Sequence, residues 1–394
     1  MAIEYAGSRR TGTRHRRFEA EGARAFARRY DWLLLGAIAG LVGYGLHLVS
    51  GITRDDVPGS PDYYVVRQGI YAAVGTVSMV AISFVDPDLF RRYWRWVYGG
   101  MLAVLLIVLP LGTEARGSQR WIAFGGFQFQ PSELAKLGLV LAIGGFLAER
   151  ARRVGEVRTV LGAIGLTLIP TFLVFLQPDI GTSLVYGAAL LGMLFVAGAR
   201  WMHLGALLAL VVVIAGSAVW FLPSVAGVDV LEPYQMKRLT AFLHRENELQ
   251  GAGYNVEQSI LAVGAGGVRG RGVEGATQTN LDYLPEHATD FAFASLAEQR
   301  GFFGAALLLL LYLLVVWRAL RILTFAADPY SAIVGGGIVL ALLFQVFVNV
   351  GMTMGIAPVT GIPLPFVSVG GSSLVTNLIA VGVLQAIHAR GRRR

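Results

Sequence analysis

The sequence predicts an all-α, polytopic membrane protein with about ten transmembrane helices, both termini cytoplasmic, and one large extracytoplasmic loop between helices 7 and 8. Three observations carry that expectation. Apolar runs recur along nearly the whole chain. Only 15% of the 394 residues are charged, against about 25% in a soluble domain. The basic residues collect on alternate connections between the runs. A mean hydropathy of +0.60 and 50 glycines fit the same class, since small residues let membrane helices approach closely.

Runs of the roughly 17 to 25 residues that span a bilayer fall at ten places: Trp32–Val49, Tyr64–Val85, Val97–Gly112, Ser132–Leu147, Val160–Leu176, Gly181–Ala197, Met202–Leu222, Phe291–Val316, Ala332–Met354 and Ser372–Ala386. No small-x-small cleavage site follows the first run, so it reads as an anchor and not as a removed leader. With the N-terminus inside, 22 of the 33 Lys and Arg residues fall on inner segments. That asymmetry sets the orientation. Residues 1–30 then form a basic tail, 31–223 the first seven helices, 224–290 the large outer loop, 291–388 the last three helices, and 389–394 a second basic tail.

The formal net charge of +8 does not indicate nucleic acid, because the arginines crowd into two tails suited to anionic membrane lipid. Cysteine is absent, which excludes disulfides, thiolate nucleophiles and cysteine-bound metal centres. There is no P-loop, no H-E-x-x-H and no serine-nucleophile elbow. Gly270, Gly272 and Gly275 match G-x-G-x-x-G in spacing, but no β-α-β context surrounds them.

Polar residues at membrane depth need partners or a function. Helix four opens Gln130-Pro-Ser-Glu-Leu-Ala-Lys136. Pro131 suits a first turn, and Glu133 and Lys136 share a face, either as a self-neutralising pair or as the polar floor of a substrate pocket. Helix six opens Gln177-Pro-Asp-Ile-Gly-Thr182, where Asp179 suits an N-cap and could also orient Lys136 or hold a cation. Arg116, Arg120 and Trp121 stand at the outer interface, Trp121 as an anchor or as a surface for a sugar beside a phosphate-binding guanidinium. Gln345 and Asn349 lie one turn apart and suit hydrogen bonds between helices. Gly361-Ile-Pro-Leu-Pro-Phe-Val-Ser-Val-Gly-Gly-Ser-Ser373 is broken backbone of the kind that lines a cavity, with Ser368 and Ser372 as candidate contacts.

The large loop carries Lys237, Arg238, Gln258, Ser259, Arg269 and Arg271, the last two in a glycine-rich stretch that reads either as a diphosphate cradle or as a mobile loop. Ser259–Val268 is apolar enough to lie on the membrane. The loop closes with Leu284-Pro-Glu-His-Ala-Thr-Asp290, followed shortly by Glu298-Gln299. Glu286, His287 and Asp290 thus meet where the chain re-enters the bilayer. A carboxylate there is costly to desolvate, and Asp290 is the leading functional candidate.

These stretches, together with Gly253-Tyr-Asn-Val-Glu-Gln-Ser259, resemble in order and spacing the SEDS family (shape, elongation, division and sporulation), over residues 32 to 388 and most closely its RodA branch. The resemblance implies a peptidoglycan glycosyltransferase that polymerises lipid II into glycan strands at the outer face of the cytoplasmic membrane during cell elongation. It also implies a class B penicillin-binding protein as crosslinking partner. Family catalytic and pocket positions fall on Asp290, Asp179, Lys136, Glu133 and Trp121. The chain departs from the family pattern at Ala288 (usually His), Gln299 (usually Glu) and Ala265 (usually Ser). Asp290 is then expected as general base, in an inverting displacement of undecaprenyl diphosphate. Lys136, Arg120, Arg238, Arg269 and Arg271 are expected to compensate the leaving diphosphate. Mg2+ or Mn2+ is expected only as an ion carried by substrate diphosphate, with no protein metal site and no organic cofactor. Two other readings stay open, a lipid II flippase and a non-catalytic scaffold for the penicillin-binding protein.

Overall fold

The computed structural model describes residues 29–54, 56–115, 118–124, 127–217, 251–281 and 283–392. The helices are α1 (Trp32–Ile52), α2 (Tyr63–Ser83), α3 (Pro87–Arg92), α4 (Trp94–Leu111), α5 (Pro131–Glu149), α6 (Val157–Phe175), α7 (Ile180–Ala197), α8 (Trp201–Gly216), α9 (Ala252–Gly266), α10 (Thr277–Asn280), α11 (Ala292–Thr324), α12 (Pro329–Thr353) and α13 (Gly371–Gly391). Among the described residues nine of these are long and apolar enough to cross a membrane. The expected seventh span is described only in its first part, as α8, because residues 218–250 lie outside the description.

Burial ranks the helices. In α5, 83% of the most apolar stretch is buried, against 22% in α2 and α4, so α5 is the central post and those two face lipid. α12 and α13 are nearly as enclosed. Where α7 crosses α12, a Cβ on Gly192 would stand 2.7 Å from the Gly336 carbonyl, so only glycine permits that backbone approach.

Regular caps start several spans. Asp31 accepts from the Leu34 N–H at 3.0 Å ahead of α1, and Asp328 accepts from the Ser331 N–H at 3.0 Å ahead of α12. These caps lie at the end that bears the termini, the inner end by the arginine distribution. There Arg318 grips Asp31 with both its Nε and Nη2, and Gln385 brackets the Asp31 backbone at 2.9 and 3.2 Å. Burial works to raise the Asp31 pKa, but the hydrogen bonds from Arg318 and the Leu34 N–H outweigh it and hold the carboxyl below its usual range. α13 continues to Gly391, so Arg390, expected in a free tail, is helical and pairs with Asp86 and Asp328.

Three features differ from the sequence expectation. A three-stranded antiparallel sheet, β1 (Thr113–Ala115), β2 (Ser118–Phe124) and β3 (Phe127–Phe129), covers the outer end ahead of α5. The expected eighth span is two helices joined at Gly301, whose φ of 64° and ψ of −162° interrupt α11. The cause is close packing, since a Cβ on Gly301 would lie 2.3 Å from the Gly270 N. The segment before the break is buried along its length and belongs to the bundle interior. Finally, the glycine-rich stretch is pinned, with Arg271 N and Gly272 N donating to the carbonyls of Glu298 and Gln299 at 2.9 and 3.0 Å.

Candidate active site

The polar residues picked out in the sequence gather at the outer end in two groups, joined by the chain between α12 and α13. The first group is built on Asp179, which is 4% exposed. Its Oδ1 caps α7 by accepting from the Thr182 N–H at 3.0 Å. Its Oδ2 accepts from Thr182 Oγ1 at 2.9 Å, Gln130 Nε2 at 2.9 Å and Ser132 Oγ at 3.4 Å. Arg120 Nη1 lies 3.8 Å away. The capping role read from the sequence is therefore present, and the cation at Asp179 is Arg120. Arg120 and Trp121 are successive residues of β2 and so face opposite ways.

One turn deeper, Lys136 Nζ meets Glu133 Oε2 at 2.7 Å, both nearly buried. Beyond this pair, neither atom has a hydrogen-bond partner among the described residues. Spare donor and acceptor capacity in a buried pair is costly, and it is the chemistry expected of a pocket floor that meets a polar ligand. Tyr186 closes the layer by donating to the Ser132 carbonyl at 3.0 Å.

The second group is the turn from Glu286 to Phe291. Asp290 is half-buried at its end, just ahead of α11. Asn349, fully buried on α12, donates through Nδ2 to the Asp290 carbonyl at 2.9 Å and to the Ile362 carbonyl at 2.8 Å. Ser368 donates to the Thr289 carbonyl at 2.5 Å, and Val369 N donates to the Ala288 carbonyl at 2.9 Å. Glu286 accepts from Thr289 Oγ1 at 2.7 Å. His287 Nε2 lies 3.3 Å from Asp56, which ties the turn to the α1–α2 connection. Glu286 and Phe366 hold φ values of 58° and 67°, left-handed backbone that costs non-glycine residues on the order of 1–3 kcal/mol and clusters at functional sites.

The same broken segment reaches the first group. Ser372 Oγ accepts from Gln130 N at 2.9 Å, and Gln68 on α2 donates to the Ser368 carbonyl at 3.0 Å. Asp290 and Asp179 are thus carried on two elements held by one strap, residues 362–372. The other candidates lie further off or are otherwise engaged. Ser259 donates to the Thr353 carbonyl at 2.7 Å and fastens α9 to α12, while Gln258 is half-buried. Arg271 bonds the Ala265 carbonyl and Thr277 Oγ1, and Arg269 is exposed. Glu298, fully buried, caps α10 by accepting from Gln278 N, Thr279 N and Thr279 Oγ1 at 2.8 to 3.1 Å. Arg116, Lys237 and Arg238 lie outside the described residues.

Sequence reasoning missed Gln130, Gln68 and Ser132 as organisers. The one amide of α2, directly after Arg67, was the available signal for Gln68. Among the described residues no three His, Asp or Glu side chains converge as metal ligands.

The fold and the site define a multi-pass helical bundle with a carboxylate-centred polar site sheltered at one end of its spans. The chain belongs to the cell cycle protein family of FtsW, RodA and SpoVE, whose model matches residues 29–393. It is 37% identical over 331 residues to stage V sporulation protein E of Bacillus subtilis, covering 82% of this chain and 86% of that one. It is also 37% identical over 316 residues to the peptidoglycan glycosyltransferase MrdB of Escherichia coli, covering 80% and 83%. The fold superposes with a TM-score of 0.79 and 30% identity on a chain solved as part of "a peptidoglycan synthase complex", covering 93% of this chain and 99% of that one. On Thermus thermophilus RodA the TM-score is 0.68 with 28% identity, covering 93% and 98%. The family resemblance read in the sequence is met, and the chain is a multi-pass membrane protein.

Proposed function

We propose that this protein is a peptidoglycan glycosyltransferase that polymerises lipid II at the outer face of the cytoplasmic membrane, serves cell elongation, and works beside a class B penicillin-binding protein. Relatives named for that activity, MrdB and FtsW, support the enzyme class. A structural neighbour described as coordinating "polymerization and crosslinking" supports the partner. Relatives named for sporulation and as FtsW match about as well, so elongation rests on the RodA-like stretches alone.

The observation that carries the mechanism is that one strap holds both the Asp290 turn, through Ser368, and the Asp179 group, through Ser372 and Gln130. Asp290 takes the proton from the acceptor sugar's 4-hydroxyl. The freed oxygen pair forms the bond to the donor's anomeric carbon as the bond to the diphosphate oxygen breaks, and undecaprenyl diphosphate leaves with that electron pair. One base suffices for a single inverting displacement, and no covalent sugar–enzyme species forms. Lys136 and Arg120 compensate charge on the diphosphate, and Lys136 keeps donor capacity beyond Glu133 for this. A divalent ion accompanies the diphosphate, and chelation in the assay tests it. Holding two lipid-tethered sugars in place supplies the remaining acceleration.

Purified wild type and Asp290→Asn given lipid II decide the matter. Glycan chains from wild type, and a loss of about 10²- to 10⁴-fold in the variant, are expected. Leaflet exchange without chains would instead make this a transporter, neither chains nor exchange would reduce it to a scaffold, and chains made by Asp290→Asn at the wild-type rate would remove Asp290 as the base. The ion-paired inner end, where Arg318 and Arg390 meet Asp31, Asp86 and Asp328, supports polymerase over transporter, since passage needs polar openings in both leaflets.

A further inference from the structure

The cations at the inner end are of two kinds. Arg318 and Arg390 are neutralised by carboxylates within the bundle. Arg152 and Arg153, on the 3-10 turn Ala151–Arg153 between α5 and α6, and Arg200, on the α7–α8 turn, are all exposed and have no carboxylate partner among the described residues. The two turns touch, because Arg200 Nε lies 3.6 Å from where a Gly155 Cβ would sit. An open cavity of about 560 Å³ lies along Ala148–Arg153, within the range of roughly 300–1,000 Å³ usual for small-molecule sites.

One wall of that cavity is already committed. Arg150 stacks 4.1 Å over the Phe146 ring and donates to the Phe146 carbonyl. Glu149 accepts from Trp94 Nε1 at 2.8 Å and lies 3.6 Å from Arg150. Glu149 is therefore engaged away from Arg152 and Arg153, and Glu156 is exposed. Arg200 adjoins exposed apolar surface, since the next residue, Trp201, is edge-on to Phe195 at 5.5 Å and both rings are exposed. Indole at this depth marks the headgroup level. Three unneutralised guanidiniums above an apolar wall match phosphate above acyl chains, and guanidinium binds phosphate in a two-pronged fork.

We propose that the α5–α6 turn together with Arg200 is a binding site for an anionic phospholipid of the cytoplasmic leaflet, with the two-phosphate headgroup of cardiolipin as its occupant. The phosphates rest on Arg152, Arg153 and Arg200, and the chains lie against Phe195 and Trp201. This site lies at the opposite end of the bundle from Asp290 and stands whether or not the proposed polymerase activity holds.

Native mass spectrometry of the purified full-length protein titrated with cardiolipin, and separately with phosphatidylcholine, tests it. Wild type should retain cardiolipin over phosphatidylcholine. R152Q/R153Q should weaken retention by roughly thirtyfold, from the loss of two guanidiniums at a charged membrane surface. R321Q/R392Q removes the same charge elsewhere at this end and should leave retention unchanged. R152K/R153K, which keeps charge and loses the fork, should be intermediate and serves if the glutamine variant is poorly folded. Equal losses in both glutamine variants would mean diffuse attraction and overturn the site. Displacement of cardiolipin by inorganic pyrophosphate alone would overturn the lipid assignment in favour of a free anion.

Discussion

Asp31 and Asp290 stand at opposite ends of the same bundle and are held in opposite ways. At the inner end the Asp31 side chain is locked by the Arg318 fork and the Leu34 N–H, inside a closed set of caps and ion pairs. At the outer end it is the Asp290 backbone that is fixed, by Asn349 and by neighbouring bonds from Ser368 and Val369, while the residue itself is half-buried. The inner carboxylate is tied through its oxygens to one guanidinium and one backbone N–H. At the outer turn the bonds from Asn349, Ser368 and Val369 are made to main-chain carbonyls.

The sharpest way to break this contrast is Asp290→Asn, which should abolish polymerisation by about 10²- to 10⁴-fold while the thermal unfolding midpoint in detergent stays at the wild-type value. Next in size is Arg318→Leu. It strands a carboxylate that is 3% exposed and should lower stability by about 3–5 kcal/mol, with specific activity preserved at permissive temperature. The pH sign follows from the lowered Asp31 pKa. Its stabilisation is fully present above the unfolded value near about 3.9, and it is lost as pH falls through the still lower folded value. Thermal unfolding of wild type against Asp31→Asn should therefore diverge above that range and converge in strong acid.

Asn349→Leu sharpens the outer half of the comparison. It removes both donors from the Asp290 and Ile362 carbonyls while keeping the branching of the side chain. Misplacement of a reacting group by an ångström costs about a hundredfold, so kcat should fall about 10- to 100-fold with a smaller change in KM. A variant that unfolds earlier yet keeps wild-type kcat would relegate Asn349 to packing. The smallest effect is expected at Ser372→Ala, which removes one acceptor from Gln130 N and should cost about 1 kcal/mol, read from the unfolding midpoint.

The spans were legible because a bilayer demands about twenty apolar residues at a time, and the arginine asymmetry placed their ends. Local polar logic was legible too: the Asp179 cap and the Glu133–Lys136 pair both follow from spacings of three residues. What could not be read joins distant residues. Ser368 meets Thr289 across 79 positions and Gln68 meets Ser368 across 300, and no periodicity records such contacts. The outer strands were hidden because three-residue β1 and β3 are too short for alternation to register. The break at Gly301 escaped because Gln-Arg-Gly-Phe sits within a hydrophobic context that reads as continuous.

That break has a mechanical consequence. A helix spanning a bilayer tilts when hydrocarbon thickness changes, and a rigid rod would carry the tilt straight into whatever is mounted on its end. In α11 the lipid-facing shaft begins only after Gly301, and the interior piece that follows Asp290 is clamped to the bundle by its own bonds to the Gly270 region. The joint therefore gives the shaft an axis of its own, and both sides of the break stay pinned to one glycine-rich stretch, Phe302 N and Phe303 N donating to the Gly267 and Val268 carbonyls at 2.9 and 3.4 Å just as Glu298 and Gln299 accept from Arg271 N and Gly272 N.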